Sequence, residues 1–122
     1  MRMIDHFIHG GTAGLASART HAVMDPNNGG QQAEVVLGGG DALDRAVAAA
    51  QAAQPAWAAM NPQRRARVMF DFKALVERNM DELAHMLSAE HGKVIADSKG
   101  DIQRGLEVVE FCCGLPHVLK GE

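Results

Sequence analysis

Between Ile102 and Leu115 the apolar residues of this chain fall on two separate faces of a helix. At an advance of about 100° per residue, Ile102, Leu106, Val109 and Cys113 make one stripe and Val108, Phe111, Cys112 and Leu115 a second. Gln103, Glu107 and Glu110 occupy the strip between them. A helix that is apolar on two sides is covered on two sides, which suits the middle of a larger protein better than the rim of a small bundle. Arg104 projects from the second stripe, beside Val108 and Phe111. A guanidinium in such a place must be paired, must reach back to solvent, or must await an anion. Two readings stay open. Asp101 and Glu107 both stand within reach along the helix for an ion pair, while the planar fork of an arginine also matches an incoming carboxylate with two parallel hydrogen bonds. The neighbouring Gly105 costs about 1 kcal/mol of helix propensity relative to alanine, which a close neighbour or a ligand would explain.

Coverage from outside is the expectation because the chain itself is small. With 122 residues, 47% of them hydrophobic, it is one domain or part of one and buries roughly two thirds of its unfolded surface. The sequence closes on His117–Glu122 without a finishing element, and a segment of a longer protein is expected. A net charge of -3, with Arg and Lys dispersed among Asp and Glu, makes no electrostatic case for nucleic acid or an anionic membrane, and both are excluded as partners. No apolar run approaches the roughly 20 residues that span a bilayer, and the opening residues carry no signal-peptide core, so a cytoplasmic location is expected. Cys112 and Cys113 are adjacent, a geometry that rarely closes a disulfide and matches no zinc spacing, so they read as small buried helix residues. The histidines form no HExxH, and His6 and His9 would point to opposite faces of a strand; no metal site is expected.

Residues 4–37 read as a short-stranded, glycine-rich β-hairpin region. Ile4, Phe7 and Ile8 precede a turn signal at His9-Gly10-Gly11, and a small-residue stretch runs from Thr12 to Ser17. His21–Met24 and Ala33–Leu37 then flank Asp25-Pro26-Asn27-Asn28-Gly29, which has the residues a tight reversal requires. Gly38–Gly40 lacks the spacing of a phosphate loop and reads as a flexible turn. From Asp41 to Leu119 the period is helical, with about four helices. Asp41 is the expected N-cap of the first, and Pro55 its end. Asn61 and Pro62 start the second, whose apolar face is Val68, Met69, Phe72, Leu75 and Val76, opposite Arg64, Arg65 and Arg67. Those arginines read as a solvated or subunit-facing surface. Asn79 with Glu82 resembles a capping box for the third, which Gly92 terminates; the fourth is expected to start between Ser98 and Asp101.

Two runs, PQRRARVMFDFKALVERNMDELA from Pro62 and GDIQRGLEVVEF from Gly100, give the chain a family likeness. Together with the Asp25-Pro26 turn, Pro55-Ala56-Trp57 and Glu90-x-Gly92-Lys93, they make it similar to the amino-terminal part of the CoA-acylating methylmalonate-semialdehyde dehydrogenases, a branch of the aldehyde dehydrogenase superfamily. The likeness runs from about Phe7 to Glu122. It implies an α/β aldehyde dehydrogenase-like fold of which this chain is the N-terminal segment of the NAD-binding domain. It also implies NAD and CoA as cofactors of the intact enzyme, and a semialdehyde substrate oxidised and decarboxylated to propionyl-CoA or acetyl-CoA. The partners implied are the remainder of the same polypeptide and further copies in a homotetramer. The family's cysteine nucleophile, its oxyanion-stabilising asparagine and its dinucleotide contacts lie downstream, so no catalytic or cofactor-binding residue is assigned here, and Cys112 and Cys113 are not carried over. One position does carry over: Arg104 corresponds to the arginine implicated in holding the substrate carboxylate. On this expectation the 122-residue chain is inactive alone; the alternative is a stand-alone helical interaction module with no catalysis.

Overall fold

The computed structural model describes residues 1–14 and 19–121, so the part of the expected small-residue stretch from Leu15 to Ser17 lies outside the described residues. The chain divides into two compact units, Met1–Ala58 and Ala59–Glu122.

In the first unit the expected hairpin forms. Strands β4 (Arg19–Met24) and β5 (Gln31–Leu37) are antiparallel, with His21 opposite Val35 and a register shift at Val23/Met24. Asp25 builds the reversal: its carboxylate accepts from the Asn27 backbone N–H at 2.8 Å and from the Asn28 side-chain amide at 2.9 Å, while Gly29 takes φ 74°. The hairpin is only part of the sheet. β1 (Arg2–Ile4) pairs in parallel with β5, giving the order β1-β5-β4 and making β5 central, with Ala33 and Val36 buried. β2 (Phe7–Ile8) and β3 (Gly11–Thr12) form a separate two-stranded ribbon. Its turn needs positive φ at both central residues, and His9 and Gly10 supply 56° and 78°.

Helix α1 (Gly40–Ala59) differs from expectation at both ends. The Gly39 carbonyl accepts from the Ala42 and Leu43 N–H groups, so Asp41 lies inside the first turn, where its charge meets the positive end of the helix dipole, and is not the N-cap. Nor does Pro55 end the helix, which runs on to Ala59. A proline removes one hydrogen bond and crowds the preceding turn, but the flanking alanines are strong enough helix formers to carry α1 through it. Gly38 is a packed turn residue: a Cβ there would lie 2.7 Å from His6 Nε2 and 2.9 Å from Ala42 Cβ.

The second unit is helical. Helix α2 (Pro62–Arg78) starts as expected, the Asn61 side chain accepting from the Gln63 N–H at 2.9 Å. Its covered line, however, is Arg65, Ala66, Met69, Lys73 and Val76, whereas Val68, Phe72 and Leu75 of the expected apolar face are exposed. The small Ala66 lets a neighbour approach, and Lys73 lies along the packed side with its ammonium on Glu77 at 2.5 Å and Glu110 at 4.0 Å. Helix α3 (Met80–His91) has no capping box. Asn79 instead donates from its side-chain amide to the Leu75 carbonyl at 2.7 Å, serving the end of α2 rather than the start of α3. Gly92, at φ 86°, closes α3 in the left-handed conformation as expected.

Helix α4 (Ile95–Cys113) starts three to six residues earlier than its sequence signals suggest, because its N-cap is Val94, which has no side-chain oxygen to announce it. It packs on α2 and α3 through small residues: Ala84 and Ser98 are both 0% exposed, and the hydroxyls of Ser88 and Ser98 share a 2.7 Å hydrogen bond. A fifth helix beyond the expected four, α5 (Leu115–Val118), is a single turn.

Candidate functional site

The first stripe of α4 is the packed one, with Leu106 and Cys113 buried and Ile102 and Val109 half-buried. The second stripe is open. Val108 is 64% and Phe111 67% exposed, and only Cys112 is half-covered. Arg104 stands on this open side with its side chain 73% exposed. Asp101, one turn back, takes its Nη1 on Oδ1 at 2.6 Å, and among the described residues no ion pair joins Arg104 to Glu107. A Cβ on Gly105 would meet nothing within 4 Å, so no neighbour among the described residues demands a glycine there.

Asp101 has a second cationic partner that spacing rules do not foresee. Lys93, in the short connection between Gly92 and α4, places its Nζ on the other oxygen, Oδ2. The Lys93 side chain is 21% exposed, far less than that of Arg104. The hydrogen bond from Lys93 holds the Asp101 carboxyl below its ordinary value, with the Arg104 charge adding to it. The arrangement is a chain of two cations on one carboxylate, and it leaves the Nη2 and Nε edge of Arg104 without a partner among the described residues. Such an edge can take a carboxylate in a bidentate contact.

Among the described residues no other cluster offers chemistry of the same kind. Both cysteines carry free thiols; Cys113 is buried against α2 and lines a cavity of about 550 Å³ with Arg67, Phe70 and His117. Arg64 and Arg67 are exposed, as a solvated surface requires, and Arg65 is half-buried with its Nε unpartnered. In the first unit, His6 Nε2 is likewise buried without a hydrogen bond, beside Gly38. Among the described residues no group of three or more His, Cys, Asp or Glu could hold a metal ion, and no helix is long and apolar enough to cross a membrane.

Comparison with known proteins gives this geometry a setting. The profile of the aldehyde dehydrogenase family matches residues 15–122. A malonate-semialdehyde dehydrogenase of Pseudomonas aeruginosa is 38% identical over 122 residues, all of this chain and 24% of that protein. Among solved structures, a putative methylmalonate-semialdehyde dehydrogenase of Sinorhizobium meliloti, in complex with NAD, is 52% identical with a TM-score of 0.93, matching 96% of this chain and 24% of its own. The methylmalonate-semialdehyde dehydrogenase of Oceanimonas doudoroffii superimposes over 100% of this chain and 25% of its own, at 40% identity and a TM-score of 0.97. The chain thus spans about a quarter of the length of the relatives it matches.

Proposed function

The chain belongs to the aldehyde dehydrogenase family, and on that premise we propose that it forms the N-terminal part of an NAD-dependent, CoA-acylating dehydrogenase of malonate or methylmalonate semialdehyde. In this reading the chain is a segment of the NAD-binding domain. The remainder of the polypeptide covers the open stripe of α4, and the assembled enzyme is a cytoplasmic homotetramer. Substrate class is suggested by the relatives, which act on malonate and methylmalonate semialdehydes.

The observation that carries the reading is a cation, Arg104, on the uncovered apolar side of α4 with one edge of its guanidinium unused. A semialdehyde of this class is an aldehyde bearing a carboxylate. Selecting it over a plain aldehyde requires a fixed positive charge in otherwise apolar surroundings, because a site built to pair a charged group rejects the analogue that lacks it. Arg104 would hold the carboxylate and so direct the aldehyde carbon towards the nucleophile, which this reading assigns to the downstream part. NAD would accept the hydride and CoA the acyl group, leaving propionyl-CoA or acetyl-CoA after loss of the carboxylate. In the glycine run before α1, the space of the missing Gly38 side chain is filled by His6 and Ala42, while a Cβ on Gly39 or Gly40 would meet nothing within 4 Å.

The test is Arg104→Ala in the full-length dehydrogenase that carries this segment. Removing a charge-assisted contact should raise the KM for the semialdehyde roughly ten- to a hundredfold while leaving propanal unaffected. Equal loss on the two aldehydes would refute the role.

A further inference from the structure

Asp101 accepts from Arg104 on one oxygen at 2.6 Å and from Lys93 on the other, so both lone-pair faces of a single carboxylate are held by cations from different parts of the chain. We propose that Asp101, anchored by Lys93, is the positioning residue of the carboxylate clamp: it fixes the guanidinium of Arg104 by one edge and leaves the other edge free for a 3-oxo carboxylate substrate. The proposal rests on the clamp reading of Arg104 and adds to it the residues that set its geometry and its charge.

The charge argument is specific. Asp101 paired with Arg104 alone would be neutral, and an approaching carboxylate would meet no net attraction. Lys93 supplies the missing positive charge, so that the three groups together keep one net positive charge while the arginine is still held. The geometric argument is independent of it. An arginine side chain that is 73% exposed has several rotamers open to it. Asp101 narrows that freedom before substrate arrives, and it is itself held twice, through its backbone in α4 and through the largely covered Lys93 ahead of that helix. Organising a clamp in advance raises affinity by sparing the substrate the ordering cost.

The two contributions separate by experiment, because Asp101→Asn makes the cluster more positive while loosening it. In the full-length dehydrogenase, positioning requires that Asp101→Asn raise the KM for the semialdehyde about fivefold with kcat, and both constants for propanal, unchanged. Asp101→Glu should recover part of that loss. Lys93→Met leaves the arginine held but neutralised, and should also raise the semialdehyde KM alone. An unchanged or lowered semialdehyde KM in Asp101→Asn would overturn the proposal, since charge alone would then be what the substrate reads. Equal loss with propanal would overturn it too, by making Asp101 a fold residue. Arg104→Ala run alongside keeps the two readings apart: if it fails to distinguish the aldehydes, the clamp itself is wrong, whereas if it distinguishes them and Asp101→Asn does not, only the positioning role falls.

Discussion

Individual residues in this chain are asked to serve one of two neighbouring elements, and the choice decides what a substitution does. Asn79 stands between α2 and α3 and has one side chain for two helix ends. At φ −103° and ψ 17° its amide is directed back to the Leu75 carbonyl, so the start of α3 is left without a side-chain cap. A sequence pattern of Asn followed by Glu three residues on cannot tell those outcomes apart, because asparagine both donates and accepts. Gly92 has no such ambiguity. Its φ of 86° lies where a Cβ meets the neighbouring carbonyl, and its N–H donates to the Ser88 carbonyl at 2.8 Å to close α3. Gly92→Ala should cost about 1 kcal/mol, and because Lys93 follows directly, the cost falls on the connection that anchors Asp101. Hydrogen exchange of the Met80–Lys93 segment in the full-length protein should lose about fivefold in protection, with segments of the β-sheet unchanged.

Among the elements, the readable ones carry their signal locally. The Asp25–Gly29 reversal, the Asn61-Pro62 start and the Gly92 stop each follow from the conformational needs of a few adjacent residues, and all three form. What resisted reading depends on distant partners. A three-residue β1 is specified only by the edge of β5 that it joins, some thirty positions on. The face of α2 that packs is chosen by the small Ala66 and by Lys73 meeting Glu110, not by its largest apolar residues. The same holds at the candidate site. Arg104 is conspicuous in the periodicity of α4, but the link from Lys93 to Asp101 crosses a helix boundary that no side-chain cap marks. Ion pairs of this kind join the helices elsewhere as well, Lys99 of α4 reaching Asp81 of α3 at 2.5 Å. Lys99 holds Asp81 below its ordinary value of 3.8, as Lys93 chiefly does for Asp101. A carboxylate whose folded pKa is depressed stabilises fully above its unfolded value and loses that contribution as the pH falls through the lower, folded one. Wild type should therefore exceed the Asp81→Asn/Asp101→Asn double variant in urea midpoint at neutral pH, and the gap should close only below about pH 4. A gap that is constant from neutral to strongly acidic solution would show that the carboxylates act by shape and not by charge.

For the molecule as a whole, the decisive quantity is apolar surface with nothing over it. Phe111 and Val108 on α4, Phe72, Leu75 and Val68 on α2, and Leu43 and Val47 on α1 are all exposed, as are Val118 and Leu119 near the end of the chain. Scattered exposed apolar residues are ordinary on any protein surface, but whole helix stripes left open are what a larger protein covers from outside. Relatives four times as long provide what could cover them. The 122-residue polypeptide produced alone should accordingly bind a hydrophobic dye and self-associate as its concentration rises, show hydrogen exchange in α4 faster than the same helix in the full-length enzyme, and turn over no semialdehyde with NAD and CoA supplied. Phe111→Glu with Val108→Lys should reduce the self-association of the isolated chain and, in the full-length enzyme, abolish folding or assembly, since charges would then be forced beneath a covering layer. A monomeric, dye-silent and well-protected 122-residue chain would mean that the second stripe of α4 is a finished surface, and Arg104 would then be a solvated ion-pair residue instead of a clamp awaiting its substrate.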